Sequence, residues 1–392
     1  MARRSDRLAP GRSSTRRPVV GVLADAQGSR PLGLEPLAKV AAIRYAGSAR
    51  GLARILADAE VLLLWNFRSQ KLREAWHRAR RLRWIHATGA GVDTVLFPEL
   101  VSSAVILTNS VGVFDQAIAE YVLGLMLLFA KDLGRTVDLQ RRHIWRHRDT
   151  EHLRGQTALV VGAGGIGRAV ARLARCAGMR VLAVARTARA GDPDLGKVAA
   201  VRDLPAVLGE ADYVVIAAPL TAETRKLFGA AEFARMKRTA RLINVGRGAI
   251  VDEAALLEAL RSRRIAGAAL DVFDREPLPK DHLFWDEPGL IVSPHMSGDF
   301  LEWRSEIAAL FVENFLRWRR GLPLLNVVDK TLGYVPSTRP RRLGRERARS
   351  AVRGPKGRRA IEPGHRPRRA RAPRRCAGIG SMARSRAPCP PR

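Results

Sequence analysis

Cysteine is nearly missing from this chain of 392 residues. The three present, Cys176, Cys376 and Cys389, make neither a disulfide framework nor the close spacing of a metal site. A disulfide-stapled scaffold is excluded, no metal is expected, and a reducing, cytoplasmic setting fits. Acid is also scarce, with 37 Asp and Glu against 69 Lys and Arg, for a formal charge of +32. Spread evenly, that excess would read as nucleic-acid binding. It is not spread evenly: residues 1–17 carry +5 and residues 331–392 carry +17, leaving +10 for residues 18–330. Long apolar runs are missing too. The longest, residues 117–130, is broken by Glu120 and is too short to span a bilayer, so a buried helix is expected and a membrane is not. Residues 1–17 are basic but have no apolar centre for a secretory signal. They are expected to be a disordered leader, with an organellar transit peptide as the other reading. Beyond residue 330 large apolar side chains nearly vanish, and Arg, Pro, Gly and Ala dominate. Such a segment cannot bury enough surface to offset its ordering entropy, so residues 331–392 are expected to be a disordered Arg-rich tail.

What remains can build a core. Hydrophobic residues make up 46% of the chain, and its length suits two domains of ordinary size plus tails. Short apolar runs at 18–23, 61–65, 82–87 and 104–108 read as strands, separated by helix-like segments at 51–59 and 70–80. A long apolar helix is expected over 113–133, and residues 141–152 follow as a polar, basic stretch. Its three histidines, His143, His147 and His152, lack a carboxylate or thiol cluster, which favours a solvated linker over a metal site. A second alternating series follows, with strands expected at 158–161, 181–185, 213–217, 241–245, 267–271 and 290–292. Helices are expected at 168–178, 230–236, 253–263 and 302–320. Strands alternating with helices argue for an α/β fold with parallel sheets, doubly wound in the second half.

The second series opens on ALVVGAGGIG, residues 158–167, a strand running into G-x-G-x-x-G and then a helix. That is the context of the dinucleotide fingerprint, in which Gly162 makes the turn, Gly164 lets backbone approach a pyrophosphate and Gly167 packs helix on strand. Gly165 and Ile166 complete the loop at the helix N-terminus, where unpaired N–H groups favour an anion. A strand-end acid would hold the ribose hydroxyls of NAD. Here the strand ends in Ala185-Arg186-Thr187-Ala188-Arg189, and no acid comes before Asp192. Arg186 and Thr187 suit a 2′-phosphate, with Arg189 adding charge, so NADP(H) is favoured. Plain surface charge would explain the same arginines and keeps NAD(H) open.

Further motifs gather at the carboxyl ends of the expected strands: Ala218-Pro219-Leu220-Thr221, residues 244–248, Asp271 and residues 293–298. Three residues there suit the reduction of a keto acid. Arg247 offers a bidentate cation for the substrate's carboxylate and carbonyl, and His295 offers a proton to the developing alkoxide. Glu276 would orient the imidazole and hold it protonated until hydride arrives. Each alone has a plainer explanation, as a surface charge, a turn residue or a loop histidine. The glycine loop Thr88-Gly-Ala-Gly-Val-Asp93 reads equally as an anion nest or an ordinary turn.

GAGVD at 89–93, Ala117-Ile-Ala-Glu120, GAGGIG at 162–167, APLTAET at 218–224, INVGRG at 243–248, ALDVFDREP at 269–277 and SPHMSG at 293–298 occur together and in order. With them, residues 18–330 resemble the D-isomer-specific 2-hydroxyacid dehydrogenases, which include glyoxylate/hydroxypyruvate reductases and phosphoglycerate dehydrogenases. The resemblance implies that Arg247, Glu276 and His295 are catalytic, with His295 also beside the nicotinamide. It implies that the amides of Ala90, Gly91 and Val92 bind the substrate carboxylate together with Arg247. It implies that Asp271 contacts the nicotinamide carboxamide, and that Ala218, Pro219 and Val245 line the cofactor cleft. It implies a substrate domain of residues 18–111 and 297–330, a dinucleotide-binding domain of residues 112–296 inserted in it, and a homodimer. The pocket is expected to include residues 64–68 and the loop near Trp145. The expected function is NAD(P)-dependent reduction of a small 2-keto acid. A rival is a non-catalytic, corepressor-like NAD(P) sensor on the same fold, whose basic tail binds nucleic acid through phosphate contacts.

Overall fold

The computed structural model describes residues 16–24, 30–65 and 70–336, within a unit that spans residues 1–341. Most of the expected leader, residues 66–68 of the expected pocket and residues 337–392 of the expected tail lie outside the described residues; residues 331–336, expected to be disordered, instead form a turn bridged between Asp329 and Tyr334.

Two sheets organise the unit. The first holds β1 (Val19–Leu23), β2 (Ala42–Ala46), β3 (Val61–Leu64), β4 (Trp84–Ala87) and β5 (Ile106–Thr108), all parallel, in the order β2-β1-β3-β4-β5. The second holds β6 (Thr157–Val161), β7 (Arg180–Ala185), β8 (Arg189–Asp192), β9 (Gly196–Ala200), β10 (Tyr213–Ile216), β11 (Arg241–Asn244), β12 (Gly267–Leu270) and β13 (Leu290–Val292). Its order is β13-β12-β11-β10-β6-β7-β9-β8, parallel except for β8 against β9. β6 lies between β7 and β10, so the strand order reverses between β6 and β10, at the carboxyl end of β6. In a doubly wound sheet that switch point is where a ligand crevice opens.

Side-chain alternation explains why both faces of each sheet are covered. In the first sheet Val20, Val22, Val61, Leu63 and Trp84 pack against Ile307, Phe311 and Phe315 of the helix Trp303–Arg319. Val19, Leu23, Leu62, Leu64 and Ile85 point the other way, onto Leu52, Ile55 and Leu56 of the helix Ala49–Leu56. In the second sheet Val160, Tyr213, Val215 and Ile243 meet the helices Asp115–Ala130 and Gly165–Cys176. Leu159, Val161, Val214, Ile216 and Leu242 meet Phe233, Leu256 and Leu260 on the opposite face.

Three strands were not expected. β2 reads AIRYA, an edge strand interrupted by Arg44, and β8 with β9 forms a hairpin over a Gly-rich, charged stretch. The expected helix over 113–133 stops at Ala130, because Asp132 takes a left-handed backbone conformation, and a second helix runs Leu133–Arg141. That second helix buries only Leu139, so its sequence shows no apolar stripe. Among the described residues no helix is long and apolar enough to cross a membrane.

One polar group is sealed in the first sheet. His86 on β4 is fully buried, with Nδ1 2.8 Å from Thr108 Oγ1 and Nε2 3.3 Å from Ser110 Oγ. The Trp84 indole N–H also donates to Thr108 Oγ1, at 2.9 Å. Burial pushes the His86 imidazole down from 6.5 to about 3. Between those values the unfolded chain binds a proton that the folded chain refuses. Stability is therefore lost as pH falls, by up to ~1.4 kcal/mol per pH unit from this residue. Between about pH 7 and about pH 5, the urea midpoint should drop further for the native chain than for His86→Asn. Equal drops would show that His86 does not carry the acid sensitivity.

Candidate active site

Strand register brings the site together. Val184, Val161, Ile216, Asn244, Leu270 and Val292 form one paired rank across β7, β6, β10, β11, β12 and β13. The residues just past that rank include Gly162, Ala217, Val245, Asp271 and Ser293. All the motifs expected to carry chemistry in the second half therefore leave the sheet along one edge.

The glycine loop has the shape its sequence suggested. Gly162 takes a φ of +117°, and a Cβ there would fall 2.6 Å from the carbonyl carbon of Ala217. A Cβ on Gly167 would fall 1.9 Å from Gly162 O, so loop and helix touch through backbone alone. Gly164 has open space where its Cβ would be, and it is the residue before the helix Gly165–Cys176. A glycine cradle, open at Gly164 before a helix N-terminus, fits a dinucleotide pyrophosphate. Asp115 also reaches this loop, since a Cβ on Gly165 would meet its carboxylate. Burial pushes the Asp115 carboxyl up, against Gly112 and Arg172, which pull it down. Nothing in its local sequence marked it as a neighbour of the loop.

The next strand end sorts the arginines. Arg186 and Thr187 are exposed just past β7. Arg189 is committed elsewhere: its guanidinium lies 3.0 Å from Asp192 Oδ2, and buried Arg168 holds the same oxygen at 2.6 Å. Asp192, the first acid after the strand, is thus matched by two cations inside the fold. Ala218 is buried, Pro219 exposed and Val245 buried, and a Cβ on Gly246 would come within 2.8 Å of Ala218 O.

Arg247 reaches the first sheet. Its Nε donates to Asp93 Oδ1 at 2.9 Å and its Nη1 to Gly246 O at 2.8 Å. Its Nη2 is against Gly91, where a Cβ would fall 1.7 Å away. The N–H groups of Ala90, Gly91 and Val92 find no acceptor among the described residues, while Ala90 O accepts from Asn109 Nδ2 at 2.6 Å. The Arg247 guanidinium stands beside this loop. Asp93 was quoted in the GAGVD motif but given no role. The structure makes it the partner that orients Arg247.

His295 and Glu276 meet as expected. His295 Nδ1 is 2.8 Å from Glu276 Oε2, and Glu276 Oε1 accepts from the Phe273 N–H at 2.9 Å. A carboxylate only accepts, so Nδ1 carries the proton and Nε2 is left for other work. The imidazole is 47% exposed and the carboxylate 14%, so the pair opens outward through the histidine. His295 adopts a φ of +55°, unusual for a residue with a side chain and a recurrent sign of a functional position.

Asp271 holds that conformation. Its Oδ1 accepts from Ser293 Oγ at 2.7 Å and Met296 N at 2.9 Å, and its Oδ2 accepts from Ser297 N at 2.9 Å. Asp271 thus shapes the His295 loop, and its Oδ2, with one partner, keeps a further acceptor site. Trp145 is fully exposed on the stretch after residue 141. Among the described residues no group of three or more His, Cys, Asp or Glu could hold a metal.

A doubly wound sheet with a glycine loop at its switch point, leading into a helix, is a dinucleotide-binding fold. Comparison with known proteins makes this specific. Residues 123–297 match the family model for the D-isomer specific 2-hydroxyacid dehydrogenase, NAD binding domain. Glyoxylate reductase of Aeropyrum pernix is 36% identical over 268 residues, 66% of this chain and 79% of that protein. Glyoxylate/hydroxypyruvate reductase B of Pectobacterium atrosepticum is 38% identical over 260 residues, covering 64% and 80%. Among solved structures, an NADPH-dependent glyoxylate/hydroxypyruvate reductase of Sinorhizobium meliloti, in complex with NADP and sulfate, superimposes with a TM-score of 0.71. It is 30% identical and covers 81% of this chain and 100% of its own. The chain belongs to the D-isomer specific 2-hydroxyacid dehydrogenase family. It is an NAD(P)-dependent oxidoreductase acting on CH–OH donors, with the function of a 2-hydroxyacid dehydrogenase.

The turn behind Arg247 offers a test of the site's packing. A Cβ on Gly248 would fall 1.9 Å from the carbonyl carbon of Phe273, the residue whose N–H fixes Glu276. Gly248→Ala should lower stability by about 1–3 kcal/mol through forced backbone displacement, and reduce turnover with it. Thermal unfolding beside steady-state assay checks this; an unchanged midpoint would mean that the turn is not tightly packed.

Proposed function

We propose that this chain is a 2-keto acid reductase that prefers NADPH and acts on small acids of the glyoxylate and hydroxypyruvate kind. The observation that carries the reading is the pairing of Arg247 with the Gly91 loop while His295 bonds Glu276 on the same strand-end edge. In this reading residues 18–111 and 297–330 form the substrate domain, and residues 112–296 the dinucleotide-binding domain.

In this reading the residues take the following roles. Gly162, Gly164, Gly165, Ile166 and Gly167 would hold the pyrophosphate, with Ala218, Pro219 and Val245 along the cleft. Arg186 and Thr187 would bind the 2′-phosphate, and the absence of a strand-end acid removes the group that would repel it. When bound, the nicotinamide supplies the hydride for C2 of the keto acid. The N–H groups of Ala90, Gly91 and Val92 fix the substrate carboxylate, and Arg247 polarises the carbonyl beside it. His295 Nε2 gives its proton to the C2 oxygen as charge develops there, and Glu276 stabilises the imidazolium through Nδ1. Asp93 keeps Arg247 aimed at the loop. The NADP in the Sinorhizobium meliloti structure supports the cofactor preference. Exposed Leu127, Leu133 and Val137 on the helices Asp115–Ala130 and Leu133–Arg141 support a homodimer.

The first experiment is oxidation of NADPH and of NADH by the purified chain with glyoxylate, hydroxypyruvate and longer 2-keto acids. A clear NADPH preference is expected; a preference for NADH would keep the chemistry and overturn the cofactor reading. Arg247→Ala and His295→Ala should each cut turnover by about 10²-fold or more while NADPH still binds. Strong residual turnover in both would overturn the assigned roles.

A further inference from the structure

The two lobes also meet away from the reacting groups, at Arg186. Its guanidinium carbon lies 5.5 Å from the centre of the Tyr334 ring, within the range of a cation–π contact. Tyr334 does not belong to the dinucleotide-binding sheet. It sits on a short return segment fastened to the first sheet. Val328 N–H donates to Leu107 O at 2.8 Å, and Lys330 Nζ donates to the carbonyls of Leu100, Ser103 and Val105 at 2.9, 2.6 and 3.0 Å. Asp329 Oδ1 then closes a turn by accepting from the N–H groups of Thr331 and Leu332. Asp329 N–H donates to Tyr334 O at 3.1 Å, and Val335 packs into the first sheet's outer core. The ring is thus presented across the cleft by one lobe to a cation of the other.

The chemistry of that contact matters. A guanidinium held by a ring's electron cloud is not held by an oxygen acceptor, so N–H donors remain uncommitted for an anion. A salt bridge would consume those donors, as Asp192 does with Arg189. The Tyr334 ring is the partner the structure gives to Arg186 among the described residues, so the ring restrains a long, exposed side chain while no oxygen acceptor among them takes its donors. Restraint of that kind lowers the ordering cost when a ligand binds.

We propose that Tyr334 is a positioning residue for dinucleotide specificity: it holds Arg186 ready for the 2′-phosphate and ties recognition of that phosphate to the first lobe. The proposal rests on the reading of Arg186 as the 2′-phosphate ligand. Its test is binding of 2′,5′-ADP and of 5′-AMP to the purified full chain by calorimetry, beside KM and kcat with NADPH and NADH. Tyr334→Leu should weaken 2′,5′-ADP by about threefold more than it weakens 5′-AMP. It should raise KM for NADPH rather than lower kcat, and Tyr334→Phe, which keeps the ring, should restore the native ratio. Arg186→Ala should weaken 2′,5′-ADP more strongly still. If Arg186→Ala weakens 2′,5′-ADP but Tyr334→Leu does not change the ratio, the proposal fails and the reading of Arg186 stands. If Arg186→Ala leaves 2′,5′-ADP binding unchanged, that reading fails and takes the proposal with it. Equal loss of both nucleotides in Tyr334→Leu would mean that the ring meets the adenosine itself, which also overturns the proposal.

Discussion

Parallel pairing in the larger sheet is the constraint on which everything else depends. Six strands pair in one rank at their carboxyl ends, from Val184 through Val161, Ile216, Asn244 and Leu270 to Val292. Parallel hydrogen bonding forces this, because each strand runs the same way as its neighbour and the crossovers return to the same starting edge. The glycine loop, the arginine turn and the histidine loop are therefore neighbours in space although about 130 residues separate Gly162 from His295 in sequence. A one-residue slip in any of these strands would turn its buried face to the other side and its loop away from the cleft.

On that edge the side chains divide the work between reaching outward and holding still. Arg247 crosses to the first sheet and is steadied by Asp93 there and by Gly246 on its own side. His295 is steadied at one nitrogen by Glu276, which is itself fixed by the Phe273 N–H. Asp271 spends both its oxygens on the backbone and hydroxyl of the loop that carries His295. Groups that would touch a substrate are partly open, and those that aim them are buried or half-buried, the division expected where geometry rather than flexibility supplies rate.

The strands at the centre of both sheets were legible as short apolar runs, because a strand covered on two faces must be apolar throughout. The glycine loop, Arg247, Glu276 and His295 were legible because each motif stands directly after such a run. The edge strands were not. β2, β8 and β9 carry charged residues and glycine and owe their extended form to a neighbour that local sequence does not display. The helix Leu133–Arg141 was hidden for a similar reason, with a single buried side chain. Arg189 was read as available charge because the buried Asp192–Arg168 pair becomes visible only once the hairpin folds over the dinucleotide-side helix. Contacts between lobes, such as Asp93 with Arg247 and Tyr334 with Arg186, join residues about 150 apart, and no spacing rule reports them.

The left-handed backbone at His295 bears on how this site can decay. A φ of +55° costs most side chains about 1 kcal/mol, while glycine adopts it freely and Asn, Asp and His adopt it more readily than others. Asp271 would go on holding the loop whichever residue stood there, since its bonds are to Ser293, Met296 and Ser297. Asn or Gly in place of the imidazole would therefore leave the loop in place, whereas Asp would set a second carboxylate against Glu276. A β-branched residue at the same place would damage the loop as well as the chemistry. The backbone thus limits which side chains this loop can carry without distortion.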